Sequence, residues 1–115
     1  MNSQSTYAPE RGHVVWLTLD PQAGHEQAGR RPALVISPAA YNWQVGLALF
    51  CPITNRAKGY PFEVPLPSDS AVTGVVLADH VKSLDWRARN ASFICAVSDE
   101  IVVAVVECME QLLIE

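Results

Sequence analysis

The sequence lacks a hydrophobic stretch that could cross a membrane, and no leader for secretion is predicted from it. Its longest apolar run, Ile101 to Val106, falls far short of the roughly 18 residues that a membrane span needs. The opening residues, Met1 to Glu10, contain no basic cluster followed by an apolar stretch, so neither a secretory signal nor a transit peptide is predicted. We therefore expect a cytoplasmic protein with no membrane partner.

Cysteine is also scarce, and its pattern argues against a metal site or a disulfide framework. The three cysteines are Cys51, Cys95 and Cys108, an odd number set widely apart among apolar neighbours. Disulfide frameworks need an even number of cysteines, and zinc sites need closely spaced ligands. We interpret all three as buried thiols and predict no metal and no other cofactor.

Charge is sparse, because charged residues make up 17% of the chain and hydrophobic residues make up 50%. A length of 115 residues suits one domain, residues 1–115, with a single hydrophobic core. So low a fraction of charge indicates that another copy or a partner covers part of the apolar surface. A homodimer is the simplest expectation.

The charge that is present is unevenly distributed. A net charge of −4 and a pI near 5.3 argue against sequence-blind nucleic-acid binding driven by bulk charge. All eight basic residues lie between Arg11 and Arg89, whereas the chain beyond Arg89 carries only acidic charges. Any site for a polyanion must therefore be local and must precede the C-terminal segment.

Short strands dominate the predicted secondary structure. Glycine, proline, serine and aspartate separate apolar, β-branched segments at the spacing of a small barrel or strongly bent sheet. The predicted strands are His13–Leu19, Pro32–Ser37, Gly46–Ile53, Tyr60–Leu66, Gly74–Ala78 and Phe93–Val97. A polar loop, DPQAGHEQAGRR, separates the first two strands, and a short turn or helical turn is predicted at Pro38–Asn42.

The last segment changes to a helical period. Apolar residues recur at helical spacing from Ile101 to Leu113, with Glu107 and Glu110 on the opposite side. Ser98 is a suitable N-cap for this helix. We predict a mainly β protein with a C-terminal α-helix whose apolar stripe serves as core or dimer contact.

Three polar clusters stand at the ends of predicted strands, where small β proteins commonly carry functional groups. They are residues 25–31, 54–58 and 79–89. Arginine, lysine and aspartate in loops are more often plain solvated surface, so no cluster is specific by itself.

The order of the motifs carries more information than any single cluster. The segments RGHVVWLTLDP, GHEQAGRRPALVISP, PITNRAKGYPFEV and GVVLADHVKSLDWRAR follow one another along nearly the whole chain. This order resembles the MazF/Kid (PemK-like) toxin endoribonucleases, and its most specific pieces are EQAGRRP, KGYPFEV and ADHVKSLDWRAR. The resemblance implies a small SH3-like antiparallel β-barrel with a C-terminal helix.

The resemblance further implies that Arg31 and Thr54 form a catalytic pair. When a ribose 2′-hydroxyl attacks the adjacent phosphorus, negative charge builds on the phosphoryl oxygens, and a planar guanidinium can bind two of them. The threonine hydroxyl adds a further donor. The implied products are a 2′,3′-cyclic phosphate and a 5′-hydroxyl end, and this route needs no metal-bound water.

The general base and acid stay open among three residues. Arginine remains protonated in ordinary settings, so the alternatives are His25 and Glu26 in the long loop and Asp79. His25 and Asp79 match residues of the Kid-like branch, and Glu26 matches a loop glutamate of MazF. A solvated loop histidine and a loop-ordering glutamate are the plainer interpretations of the first two.

The match at Asp79 is incomplete. The Kid-like branch has an arginine two residues earlier in the acid role, and this chain has Leu77 there. That departure favours the MazF arrangement. Asp79 is equally suited to a structural ion pair with Lys82 or Arg87.

Sequence-specific readers of single-stranded RNA stack unpaired bases on aromatic or guanidinium planes and bond to their edges. The candidate RNA-binding residues are Gln27, Asn55, Arg56, Lys58, Tyr60, Phe62, Lys82 and Arg87. Trp16 and Trp86 are assigned to the core or an interface, the commoner place for tryptophan in a strand.

The sequence also leads to an expected protein partner and to two alternative functions. The basic clusters and apolar surface predict a MazE-like antitoxin whose flexible, acidic and apolar C-terminal segment lies across the RNA groove. CcdB-like toxins share the architecture but bind DNA gyrase through a Trp-Gly-Ile tail, whereas this chain ends in LLIE. An interaction module without activity is the third alternative, because fold does not fix function.

Overall fold

The computed structural model describes residues 7–19 and 29–114, which form one antiparallel sheet with two α-helices. The strands are β1 (His13–Leu19), β2 (Gly29–Val35), β3 (Ala48–Thr54), β4 (Glu63–Pro65), β5 (Val75–Leu77), β6 (Lys82–Leu84) and β7 (Ser92–Ala96). The helices are α1 (Ala39–Val45) and α2 (Asp99–Ile114), and a 3-10 turn spans Ala78–His80. The prediction of a mainly β protein with a C-terminal helix is confirmed.

Strand β3 is the centre of the sheet. Along one edge it pairs with β2, with Ala33 opposite Pro52. Along the other edge its first half pairs with β6, and Ile53 and Thr54 pair with β5. The sheet order is therefore β4-β5-β3-β2-β1-β7, with β6 as a branch on β3. Within residues 7–19 and 29–114 no ladder joins β4 to β7, so the sheet is not closed into a complete barrel.

Two hydrophobic cores lie on opposite faces of β2, because neighbouring residues of a strand point to opposite faces. Leu34 packs in the first core with Val105 of α2. Ala33 and Val35 pack in the second core with Trp86. The sequence predicted one core, and the structure divides it in two because both faces of the sheet are covered.

Helix α1 contains one buried polar side chain, that of Asn42. The helix is longer than the turn predicted at Pro38–Asn42. The helix ends at Gly46, which adopts a left-handed φ of 82°. The side-chain nitrogen of Asn42 donates to the carbonyls of Pro9 at 2.7 Å and Ser37 at 3.0 Å. The indole N–H of Trp86 donates to the Asn42 carbonyl at 3.1 Å. Asn42 therefore joins α1 to the N-terminal segment and to the second core.

Strand β6 is absent from the predicted strands, because its three residues lack an apolar run and its hydrogen bonds come from β3. Cys51 is buried as predicted, whereas Cys95 and Cys108 are only half-buried. Burial, with a smaller contribution from the charge of Asp79, raises the pKa of the Cys51 thiol to about 12. Cys51 is therefore an inert thiol at neutral pH.

Two further predictions concern the surface of the molecule. Trp86 belongs to the second core as predicted, whereas Trp16 is 41% exposed and lies outside both cores, so its place at an interface stays a prediction. No helix in the described part of the chain has the length and apolarity that a membrane span requires.

Candidate active site

The two expected catalytic residues lie on neighbouring strands, just past the same end of the β2–β3 ladder. In this antiparallel ladder Leu34 is opposite Cys51 and Ala33 is opposite Pro52, which is its last pair. Arg31 lies two residues before Ala33 on β2, and Thr54 lies two residues after Pro52 on β3. Residues two apart on a strand point to the same face, so both side chains share the face of Ala33 and Pro52.

Arg31 and Thr54 share the face of the second core. Alternation along β2 puts Arg31 on the side of Ala33, and alternation along β3 puts Thr54 on the side of Phe50. Arg31 also pairs with Leu17 of β1, which packs in the same core. Arg31 is exposed, whereas Thr54 is buried. The site thus combines an accessible cation with a hydroxyl that the core holds in place.

The hydroxyl of Thr54 is oriented by the backbone that follows it. The N–H of Arg56 donates to Thr54 Oγ1 at 3.1 Å. A threonine hydroxyl has one proton and two lone pairs, so its oxygen can accept this bond while its proton is donated to a ligand. Close by, the hydroxyl of Thr73 donates to Asn55 Oδ1 at 3.1 Å, which ties the end of β3 to the chain before β5.

Gly74 packs against Thr54 so closely that no side chain fits between them. Its φ is 115°, and a Cβ would lie 2.9 Å from the carbonyl carbon of Thr54 and 3.0 Å from Asn55 Oδ1. Gly74→Ala is therefore expected to lower the free energy of unfolding by more than the roughly 1–3 kcal/mol that left-handed strain alone costs. Denaturant unfolding measures the change.

Gly46→Ala is the matched control, because Gly46 has a φ of 82° and no atom within 4 Å of the Cβ position. This variant carries the conformational strain without the crowding and should lose less stability than Gly74→Ala. Equal losses in the two variants would contradict the close packing of Gly74 on Thr54.

Glu63 organises the loop between β3 and β4, and the sequence analysis did not single it out. Its carboxylate accepts the N–H of Lys58 and the N–H of Gly59, each at 3.0 Å. Hydrogen bonds to a charged acceptor are stronger than neutral ones, so the loop is well defined. It presents the exposed ring of Tyr60, whereas Phe62 is half-buried. The sequence signal that could have identified this role is the position of Glu63 at the end of the KGYPFE motif.

Arg30 links three strands through its guanidinium, a structural role that was not predicted from the sequence. One guanidinium nitrogen donates to Thr18 Oγ1 at 2.9 Å, and another donates to the Asn90 carbonyl at 2.7 Å and to Ser92 Oγ at 3.0 Å. Arg30 therefore reaches from β2 across β1 to the start of β7. Arg30 is the neighbour of Arg31 on β2 and points to the opposite face. Its hydrogen bonds therefore hold the backbone that carries Arg31 without occupying the face of Arg31.

The polar residues of the third predicted cluster, residues 79–89, make contacts at separate places rather than forming one site. Asp79 faces His80, with 3.9 Å between Asp79 Oδ1 and His80 Nε2. The guanidinium carbon of Arg87 lies 5.0 Å from the ring centroid of Trp43 and 4.4 Å from that of Trp86. Within the described ranges, the ion pair considered between Asp79 and Arg87 is not formed, because cation–π contacts hold the guanidinium.

The structure does not bring Asp79 beside Thr54. Thr54 pairs with Val75 at the end of β3, and Asp79 lies beyond the far end of β5. Its charge acts instead on Cys51, in the middle of β3 and on the opposite face from Thr54. Lys82 is exposed on β6, which pairs with the start of β3.

Three expected site residues, His25, Glu26 and Gln27, lie outside the described residues. Their roles therefore stay predictions from the sequence. In residues 7–19 and 29–114, no group of three or more His, Cys, Asp and Glu side chains is arranged to hold a metal ion.

Known proteins resemble the chain in sequence over most of its length. The endoribonuclease toxin MazF of Escherichia coli strain K12 is 52% identical over 88 residues, which cover 76% of this chain and 78% of that protein. The endoribonuclease toxin ChpB of the same organism is 46% identical over 98 residues, covering 81% of this chain and 84% of that protein.

The fold is shared as well. The crystal structure of MazF from Deinococcus radiodurans superposes with a TM-score of 0.88 at 57% identity, covering 93% of this chain and 97% of that one. A family model for the PemK-like, MazF-like toxins of type II toxin-antitoxin systems matches residues 10–113. The fold and this match agree, and the chain belongs to the PemK-like, MazF-like toxin family.

Proposed function

We propose that this chain is the toxin of a type II toxin-antitoxin system and a sequence-specific endoribonuclease that cleaves single-stranded RNA without a metal ion. The observation that supports the proposal is that Arg31 and Thr54 share one face just past the same end of the β2–β3 ladder. Two relatives that are named endoribonuclease toxins, at 52% and 46% identity, support the same reaction class over the gyrase-binding alternative.

The ribose 2′-hydroxyl is the nucleophile in the proposed reaction. Its oxygen forms a bond to the adjacent phosphorus, and the bond from that phosphorus to the 5′-oxygen of the next nucleotide breaks. The proton of the 2′-hydroxyl passes to a general base, and the departing 5′-oxygen receives a proton from a general acid. The products are a 2′,3′-cyclic phosphate and a 5′-hydroxyl end. DNA lacks the nucleophile and is not cleaved.

Arg31 and Thr54 stabilise the charge that develops on the phosphoryl oxygens. The planar guanidinium of Arg31 offers donors spaced to bind two of these oxygens. The hydroxyl of Thr54, oriented by the N–H of Arg56 at 3.1 Å, donates a further hydrogen bond. Because Thr54 is buried, its donor is in place before the substrate binds, and a preorganised donor costs little rearrangement in the transition state.

We assign the proton transfers to the loop before β2 rather than to the 3-10 turn. His25 and Glu26 precede Arg31 closely in sequence, which is the support for this assignment. Asp79 is the weaker candidate, because it interacts with His80 and Cys51 and lies away from Thr54.

The bases beside the scissile phosphate are proposed to contact the loop that follows β3 and the loop before β2. The loop after β3 follows Thr54 directly in the chain, is ordered by Glu63 and presents polar groups and the exposed ring of Tyr60. The residues proposed for these contacts are Gln27, Asn55, Arg56, Lys58, Tyr60 and Phe62. Lys82 and Arg87 are proposed to bind the RNA farther from the cleaved bond.

The proposed partners are a second copy of the chain and an antitoxin. The exposed apolar side chains of α2, Val103, Leu112, Leu113 and Ile114, are suited to such contacts. A MazE–MazF complex is known for the relative from Deinococcus radiodurans, at 50% identity and a TM-score of 0.83. We propose a MazE-like antitoxin as the partner of this chain. We also propose a cytoplasmic location, where the RNA substrate is present.

Cleavage of a long unstructured RNA in excess EDTA tests the function. We expect fragments that end in a 2′,3′-cyclic phosphate and begin with a 5′-hydroxyl, because the attack uses a ribose oxygen rather than a metal-bound water. The same RNA with 2′-deoxyribose at the mapped cleavage position is the control and should stay intact. Intact native RNA at high protein concentration would contradict the nuclease assignment.

A further inference from the structure

Arg87, proposed above as an RNA-binding residue, forms an exposed cation–aromatic surface with Trp43. The guanidinium carbon of Arg87 lies 5.0 Å from the Trp43 ring centroid and 4.4 Å from that of Trp86. Trp86 is buried, whereas Trp43 is 50% exposed and Arg87 is exposed. We call the pair Trp43 and Arg87 the indole–guanidinium platform.

The turn that carries Arg87 is fixed before any ligand binds. Asp85 Oδ1 accepts the N–H of Arg87 at 3.1 Å and the N–H of Ala88 at 2.9 Å. The N–H of Arg89 donates to the Asp85 carbonyl at 3.0 Å, and Asn90 ends the turn with a φ of 56°. Little ordering is therefore required when a flat group stacks on the platform, which favours binding.

The same turn runs from the second core to the edge of β1. At one end Trp86 packs in the second core and bonds to α1. At the other end the Arg89 carbonyl accepts the N–H of Thr18 at 2.9 Å, next to the start of β2. Arg31 and Val35 are four residues apart on β2, a span of about 13 Å at the usual rise of a strand. Trp86, on which Arg87 stacks, thus packs on the face of the sheet that also carries Arg31.

We propose that the indole–guanidinium platform is a stacking subsite for one unpaired nucleobase of the RNA, outside the cleaved step, an inference that rests on the ribonuclease function proposed above. An exposed indole stacks on any base, and an arginine beside it attracts the neighbouring phosphate. The cation makes the surface better suited to an anionic strand than to a purely apolar segment. The site adds affinity for longer RNA without touching the reacting atoms.

Binding of uncleavable RNA tests the platform. The site cleaved by the wild-type protein is mapped first, and 2′-deoxyribose then replaces the reacting ribose in two sets of oligonucleotides. One set is trimmed to the nucleotides beside the cleaved bond, and the other extends several nucleotides to either side. Trp43→Ala is expected to weaken binding of the RNA extended on one side about tenfold and to leave the trimmed RNA unaffected.

Two variants serve as controls. Trp43→Phe keeps an aromatic face and should retain most of the affinity for the extended RNA. Tyr41→Ala removes another exposed aromatic side chain of α1, 42% exposed, and should not change the binding of either RNA. Thermal unfolding of each variant checks that the fold is kept.

Distinct outcomes overturn the proposal. If Trp43→Ala binds extended RNA as tightly as the wild type, or if Trp43→Phe loses as much affinity as Trp43→Ala, Trp43 does not stack on a base. If Trp43→Ala no longer forms dimers in size-exclusion chromatography but binds RNA with unchanged affinity per folded site, Trp43 belongs to a contact between two copies of the chain. Absence of cleavage by the wild type would instead overturn the ribonuclease function itself.

Discussion

Arg31→Ala is expected to lower the rate of RNA cleavage at least about a hundredfold while the protein stays folded. The guanidinium of Arg31 is the planar donor proposed to bind two phosphoryl oxygens, and loss of one preorganised donor typically costs about 10²–10³ in rate. Single-turnover cleavage at saturating RNA measures the effect. Arg31→Lys keeps the charge but not the fork of donors, so it should recover only part of the activity.

Arg30→Ala is the charge-matched control, because Arg30 is the neighbouring residue on the opposite face and bonds to Thr18, Asn90 and Ser92. Removing it should lower the free energy of unfolding and reduce the cleavage rate less than Arg31→Ala does. Near-normal cleavage by Arg31→Ala, or a larger loss of rate in Arg30→Ala, would remove Arg31 from the mechanism.

Thr54→Val is expected to reduce the single-turnover cleavage rate by about a hundredfold, at nearly constant side-chain volume. The substitution removes the proposed donor to the phosphate. It also leaves the N–H of Arg56 without its acceptor, so some loss of stability is expected too. Thr54→Ser retains the hydroxyl and should keep most of the rate.

Stability and rate separate the two roles of the hydroxyl. If Thr54→Val unfolds more easily but cleaves RNA at the wild-type rate, Thr54 is structural only. The combined variant Arg31→Ala/Thr54→Val gives a further check. Two groups that act on one phosphate lose less together than the product of their separate losses, whereas independent groups multiply.

Much of the fold follows from local patterns in the sequence. The predicted bounds of β1 match the structure, and the helical period of the last segment predicts the position of α2. Strand β6 and the full length of α1 were not predicted, because neither has a strong local period. Strand β6 depends on hydrogen bonds from β3, and α1 depends on the buried side chain of Asn42.

The candidate site was predicted in part. The resemblance to a toxin family named Arg31 and Thr54, and alternation along β2 and β3 adds that they share a face of the sheet. The structural roles of Arg30 and Glu63, and the stacking of Arg87 on Trp43, depend on partners that are distant in sequence. Such partners leave no periodic signal, so a single sequence does not reveal them.

The sequence by itself determined the class of fold, the family and the residue types available for chemistry, because alternation, helical period and motif order are local properties of the chain. Only the tertiary structure decided which residues share a face. Arg31 and Arg30 are chemically identical neighbours, yet Arg31 lies on the face of the second core and Arg30 crosses β1 to bond to Ser92 of β7. The physical reason is that strand register, fixed by pairing across the sheet, assigns each side chain to one face or the other.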